Sequence, residues 1–359
     1  MTTGFTVTAC LSFYILSALT NVMVLGAFTE SWLQYFRWSR ETLSQIYCYA
    51  TLCVAITAGL SGVCFEKLEF KKACLYSSLC LGNILLLISF LPPGNPNPLC
   101  FTLFLFALQW LGQGLLVVAC RTSLMACVPR TQQGIFAGIQ ESLGILAVSI
   151  LPFIILKIIH LFRWQTVLCL ESLMYFWAAL LSLVINRISP NMMPPKQRMC
   201  TPWFLLKTKK FWLVNGIINL PILLSSGYFF HLEALCQRWH IRIHQLQSLL
   251  MPQVLGIICV HLLLGIWVTR KSWKLTPLLI LLMGSQCVCY AGLLHLSNPL
   301  GKYAYVVGNA LGWGFFGVLV NIAWEYLYGA PYRDFCLGWA VCLGFIFNAL
   351  GPLLFSLIV

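Results

Sequence analysis

The sequence is poor in charge and poorest in acid. Nine Asp and Glu stand against 22 Lys and Arg, and the four types together make up 9% of 359 residues. A soluble domain needs roughly a quarter of its residues charged to keep its surface in water, so a water-soluble fold is excluded. The 17 cysteines are an odd number, contain no CxxC pair, and lie mostly inside apolar runs. That excludes a disulfide framework and a thiolate metal site, because Cys in such runs acts as a small hydrophobe. The single CxC, Cys287 and Cys289, points to two faces of a helix. No GxxxxGK[ST] loop is present, so no nucleotide drives the protein. The opening MTTG carries no Lys or Arg and leads to no small-residue cleavage site, which excludes a secretory signal. A net charge of +13 would suit nucleic acid, but the bases lie in short breaks rather than in a stripe with aromatic neighbours.

What the sequence does have is oil. Hydrophobic residues are 60% of the chain and the mean hydropathy is +0.86. Apolar runs of about 20 residues, the length that crosses a bilayer as a helix, recur from end to end. They predict an all-α polytopic membrane protein with eleven spans near 5–29, 43–64, 74–92, 100–127, 135–156, 165–186, 211–232, 245–267, 276–296, 304–327 and 335–359. The break at 187–210 holds four prolines and six bases. It divides a six-helix bundle at 1–186 from a five-helix bundle at 211–359.

The loops distribute their bases unevenly. Even-numbered loops hold 14 Lys and Arg, odd-numbered loops hold 7, and Arg121 lies within a span. The positive-inside bias then places the even loops, the central break and the N-terminus in the cytoplasm.

Two internal repeats organise the chain. GVCFEKLEFKK at 62–72 sets Gly62, Glu66, Lys67, Lys71 and Lys72 in a row, and GIWVTRKSWK at 265–274 repeats the layout with Gly265, Thr269, Arg270 and Lys274, 203 residues later. With an offset of 200, the block at 111–152 aligns without gaps on 311–352. Gly112, Gly114, Gly138, Gly144 and Pro152 meet Gly312, Gly314, Gly338, Gly344 and Pro352. Parallel repeats of helical halves suit a transporter architecture.

Gly62-x3-Glu66-Lys67-x3-Lys71-Lys72 resembles the loop 2–3 signature of the major facilitator superfamily, with Glu66 where Asp is usual and Glu69 where a glycine is usual. FRWSRETLSQIY at 36–47, FRW at 162–164 and YFFHLEAL at 228–235 resemble its monocarboxylate and oxalate/formate branch. The arginine that many proton-coupled relatives carry in helix 4 is missing, with Gln109 and Trp110 near its place, and so is the glycine-rich helix 5 signature of drug antiporters. The resemblance implies two bundles that rock about a midplane site, and a loop whose charges gate the cytoplasmic side. The gating residues are then Gly62, Glu66, Lys67, Lys71, Lys72, Gly265, Arg270 and Lys274. Topology anchoring by the lysines is the simpler alternative. The superfamily has twelve helices, and this chain ends as the eleventh finishes. The sequence therefore also fits a truncated copy.

Ionisable groups at membrane depth are costly and usually face a cavity or a partner. Arg121 could hold a carboxylate in its planar fork, or snorkel toward the cytoplasm. Asn321 is its repeat partner, and Glu325 follows one turn later as a proton-coupling group or as half of an ion pair. Gln140 and Glu141 are adjacent candidates, and Glu171 a packing one. His231 lies where the resembled branch places a histidine near the extracellular end of the cavity. His240 and His244 share a helical face but lack further ligands, so no metal is expected, and no cofactor.

The expected function is secondary transport of a small solute, an organic anion of monocarboxylate type, by alternating access, with a proton as a candidate coupling ion and no enzymatic step. The alternative is a non-transporting membrane receptor on the same fold. The compact chain points to a bacterial inner membrane. Oligomeric state is left open.

Overall fold

The computed structural model describes residues 2–67, 70–94, 96–188, 202–230, 243–270 and 273–356. It leaves out the side chains of 2–3, 22, 40, 60, 62–67, 184–188, 227–230, 243–247, 352–353 and 355–356. His231 and His240 therefore lie outside the described residues, as do the side chains of Glu66, Lys67 and His244.

Helices account for nearly all of the described chain, and no strand occurs among the described residues. They are α1 (Thr2–Ser17), α2 (Arg40–Lys67), α3 (Phe70–Ser89), α4 (Pro98–Cys127), α5 (Gln133–Leu161), α6 (Trp164–Ile188), α7 (Lys209–Phe230), α8 (Ile243–Arg270), α9 (Leu275–Leu294), α10 (Pro299–Tyr328) and α11 (Arg333–Ser356). Each expected span therefore has its helix. Among the described residues nine are long and apolar enough to cross a membrane, and the bent pair Gly4–Thr20 and Met23–Phe36 makes ten, with 47° between its arms. Leu173 and Trp177 on α6 and Leu255 and Leu263 on α8 are exposed. Such an apolar exterior is stable against lipid and not against water. The chain is a multi-pass integral membrane protein.

Local sequence explains the helix ends. The Asn97 side chain accepts a bond of 2.9 Å from the N–H of Leu99, with Pro98 in the first turn of α4. Asn298 and Pro299 open α10 in the same way, without the side-chain bond. At the other end, Val128 is extended before Pro129. α10 instead stops at Gly329, whose φ of +90° an L side chain resists.

The chain folds as two compact units. The first comprises 1–128, 146–199 and 334–342, and the second 129–145, 200–333 and 343–359. In the first unit an aromatic cluster surrounds Phe36. Trp38, Phe101 and Trp164 lie 4.7, 5.5 and 5.8 Å from it, ring to ring. Both FRW stretches thus give their tryptophan to packing, worth about 1 kcal/mol per aromatic pair beyond burial. In the second unit the first half of α5 lies against α8 backbone to backbone. A Cβ on Gly134 would meet the carbonyl oxygen of Gly265 at 2.6 Å, and one on Gly138 would strike the carbonyl oxygen of His261. This close approach draws 129–145 into the second unit. Small residues allow such contact in membranes, where packing rather than water drives helix association.

Candidate functional site

In the first unit, Arg121 lies in the part of α4 whose side chains from Val117 to Met125 are all buried. The residue is 7% exposed, so it does not snorkel. Its Nη2 donates to the Tyr14 hydroxyl at 3.1 Å, and the guanidinium carbon sits 5.6 Å from the centre of the Tyr14 ring. The phenol thus holds the cation by its oxygen and by its π face. One to three turns earlier α4 widens over Trp110–Leu116 into i→i+5 hydrogen bonding, a form that is rare and common at functional sites. Within that stretch Gln113 Nε2 donates to the carbonyl of Ser17 at 2.6 Å and to Thr20 Oγ1 at 3.3 Å. The Ser17 carbonyl, where α1 ends, thus accepts both this amide and the Thr20 hydroxyl at 2.8 Å. Gln109 is wholly buried; its Oε1 accepts from Thr51 at 3.4 Å, and its Nε2 has no partner among the described residues.

In the second unit, α5, α8 and α10 bring three polar residues, Glu141, His261 and Asn321, together around Gly317. Asn321 Nδ2 donates to Glu141 Oε1 at 3.0 Å and to the Gly317 carbonyl at 2.8 Å. His261 Nε2 is 3.3 Å from the Trp313 carbonyl. A Cβ on Gly317 would collide with His261 Nε2 and stand 3.1 Å from Cβ and Cγ of Glu141. Only a glycine lets the acid and the imidazole share that face of α10. Gln140, the residue before Glu141, is fully buried, and neither end of its amide is hydrogen-bonded among the described residues. On the same helix as Gly317, Trp313 donates its indole N–H to Ser225 of α7 at 2.9 Å.

Glu325 has a different setting from these. Its carboxylate is 2.9 Å from Arg333 Nη1 and 3.1 Å from Arg130 Nε, with Gln133 Nε2 at 3.4 Å. The side chains of Glu325 and Arg333 are 12% and 8% exposed, whereas that of Arg130 is 77% exposed. The sequence had left Glu325 open between a proton site and an ion pair; the structure gives it two arginines.

The expected gate is described only in part. Lys71 is buried and Lys72 exposed on α3, and Arg270 and Lys274 are exposed. Thr269 holds the repeat position of Glu66. Its hydroxyl donates to the Gly265 carbonyl at 2.8 Å and accepts from the N–H of Ile135 at 3.2 Å, capping the first turn of α5. The Glu171 carboxyl is buried, and neither oxygen has a hydrogen-bond partner among the described residues.

His261, Trp313 and Ser225 were missed from the sequence. The signal for His261 was present, since CVHLLLG puts an imidazole in the middle of an apolar run. Trp313 and Ser225 carry no such mark among 13 tryptophans and many serines. Among the described residues no group of three or more His, Cys, Asp or Glu could hold a metal ion.

The comparisons with known proteins fit this architecture. The structure is similar to that of the proton:xylose symporter XylE, a major facilitator superfamily protein solved with 6-bromo-6-deoxy-D-glucose, with a TM-score of 0.72. That likeness covers 99% of this chain and 88% of the symporter at 12% sequence identity, which is a likeness of fold. No curated protein sequence matches the chain. The sequence profile of the Major Facilitator Superfamily matches residues 10–352, nearly the whole length. The chain belongs to the major facilitator superfamily.

Proposed function

We propose that the chain is a secondary transporter that moves a small carboxylate-bearing solute by alternating access, with Arg121 as the group that holds the anion. The observation that carries this reading is the buried Arg121, fixed on the Tyr14 hydroxyl and ring. A guanidinium in a membrane helix is expensive, and its planar fork matches a carboxylate in two parallel hydrogen bonds. The site remains proposed for Arg121, Asn321, Gln140 and Glu141, and His231 stays with them on resemblance alone.

The coupling ion in this reading is a proton, carried by Glu141 with His261 and Asn321 about Gly317. Glu325 belongs instead with the gate, because Arg130 and Arg333 already hold its carboxylate. The gate also takes in Gly62, Glu66, Lys67, Lys71, Lys72, Gly265, Arg270 and Lys274. Thr269 shows what the repeat position of Glu66 does in the second copy, which is to cap a helix start. Glu66→Gln is expected to slow transport several-fold while equilibrium binding stays within twofold. Wild-type turnover in that variant would remove Glu66 from the gate. Bundles at 1–186 and 211–359, joined by 187–210, with the N-terminus in the cytoplasm of a bacterial cell, complete the proposal.

One observation favours a second reading, an uncharged polyhydroxylated solute. Gln140 offers a buried amide donor and acceptor that nothing among the described residues satisfies, and solute hydroxyls would satisfy both.

Thermal unfolding of the detergent-purified chain separates the readings. The panel holds formate, lactate, pyruvate, oxalate, dicarboxylates, amino acids and sugars. A ligand selective for the folded state raises the midpoint by mass action. A carboxylate should do so at sub-millimolar concentration in the wild type and not in Arg121→Ala. Stabilisation by sugars alone, lost in Gln140→Ala, would replace the first reading with the second. A stable chain that responds to nothing would favour a receptor.

A further inference from the structure

The segment that leads into α7 has no part in the transport proposed above. Trp203–Lys207 forms a tight helical turn and Lys209 opens α7. Two residues pin the segment to the protein, for Leu205 is 3% exposed and Phe211 is fully buried. The Phe211 ring lies 5.5 Å from Trp324 and 6.4 Å from Tyr328 of α10. Thr208 Oγ1 donates to the Leu205 carbonyl at 2.7 Å and Trp212 Nε1 to the Leu206 carbonyl at 2.7 Å, so the corner is internally bonded.

Pinned in this way, the segment turns its large apolar groups outward. Trp203, Phe204 and Trp212 are 49, 56 and 38% exposed, and Leu213 is 65% exposed. Lys207, Lys209 and Lys210 are exposed within the same eleven residues. No acid lies between Pro202 and Asn219. The first turn of α7 adds the positive end of its dipole at the level of Lys209 and Lys210. By contrast, α1, which opens the first unit, begins with Thr2, Thr3 and Gly4 and has no base before Arg37.

We infer that this corner is a binding site for an anionic phospholipid. Lys207, Lys209, Lys210 and the start of α7 take the phosphate-bearing headgroup. Trp203, Phe204, Trp212 and Leu213 lie along the glycerol and upper acyl region. Aromatic rings at a membrane boundary present an apolar body and a polar edge at that depth, and lysines near an anionic leaflet draw it electrostatically. Charge complementarity selects the occupant. An apolar tail alone would need no lysines, and a soluble anion would need no exposed tryptophan. The inference does not depend on which solute is carried, or on whether one is.

The test is native mass spectrometry of the full chain released from mixed micelles holding equal phosphatidylglycerol and phosphatidylcholine. Each lysine at the headgroup level is worth roughly fivefold in affinity, so the wild type should retain phosphatidylglycerol at least fivefold over phosphatidylcholine. Lys207→Gln, Lys209→Gln and Lys210→Gln combined should bring that ratio close to one with an unchanged unfolding midpoint. Lys302→Gln, at the start of α10, should leave it unchanged. Trp203→Ala with Phe204→Ala should lower retention of the anionic lipid while its charge preference persists. Equal retention of the two lipids by the wild type, or a full preference surviving the triple change, would overturn the inference. If free glycerol phosphate competed as well as the lipid, the site would be one for a soluble phosphate instead.

Discussion

The blocks at 111–152 and 311–352 share glycines and a proline in register, yet they were put to different uses. Position 113 is a glutamine and position 313 a tryptophan, and each donates an N–H within its own unit, Gln113 to Ser17 at the end of α1 and Trp313 to Ser225 in α7. In the first copy the acceptor is backbone carbonyl at the break in α1. In the second it is a serine hydroxyl within the unbroken α7. α4 widens over Trp110–Leu116, while α10 stays regular over the same positions. Position 121 is a buried arginine held by a phenol, and position 321 an amide held by a glutamate. The repeat keeps helix contacts and varies polar groups. Packing is set by small residues that few substitutions can replace, whereas polar side chains can be exchanged once the backbone is in place.

The largest effect expected from breaking this comparison lies where backbone meets backbone. Gly138→Ala sets a methyl on the His261 carbonyl oxygen, which has no room to move. It should lower unfolding stability by about 3 kcal/mol, the upper end for overpacking, as read by thermal or denaturant unfolding in detergent. A loss under about 1 kcal/mol would mean that α5 and α8 do not approach this closely.

Next come positions 133 and 333, repeat partners that both reach Glu325. Arg333 is nearly buried at 2.9 Å, and Gln133 sits at 3.4 Å. Arg333→Ala should cost about 2 kcal/mol, less than the ~3–5 for breaking a buried pair outright because Arg130 still faces the carboxylate. Gln133→Ala should cost about 0.5 kcal/mol. Equal costs would show that the network does not distinguish the copies.

Smaller again is the difference between positions 112 and 312. A methyl on Gly112 would collide with Thr20, whose hydroxyl is already engaged with the Ser17 carbonyl. A methyl on Gly312 would collide first with the amide end of Gln286, the far end of a flexible side chain, with Ser285 Oγ at 3.4 Å. Gly112→Ala should therefore destabilise by about 1.5 kcal/mol. Gly312→Ala should be close to neutral, since alanine also favours the helix by about 0.5–1 kcal/mol. Similar values for both would remove the distinction.

These positions also show what the sequence could convey. All eleven helices were legible, because apolar length and Asn-Pro or Gly punctuation are local signals. So was the repeat, since glycines in register survive divergence. The aromatic role of Trp38 and Trp164 was not, because their FRW stretches look alike as motifs while ring packing is a property of three separate segments. The two arginines of Glu325 were not legible either: Arg130 is 195 residues away along the chain and meets the acid only after folding. The meeting of Glu141, His261 and Asn321 at Gly317 was half legible. Each group could be flagged as costly at its depth, but nothing local says that one glycine admits all three. The widened turn of α4 left no trace, since both copies carry the same glycines.

Uptake of a labelled carboxylate, chosen by thermal stabilisation, into proteoliposomes tests the central claim most directly. The wild type, Arg121→Ala, Arg121→Lys and Asn321→Ala should be compared at equal inserted protein. The account predicts uptake lowered about 100-fold in Arg121→Ala, less in Arg121→Lys, which keeps charge without the fork, and about tenfold in Asn321→Ala. Wild-type uptake by a folded Arg121→Ala chain would contradict it.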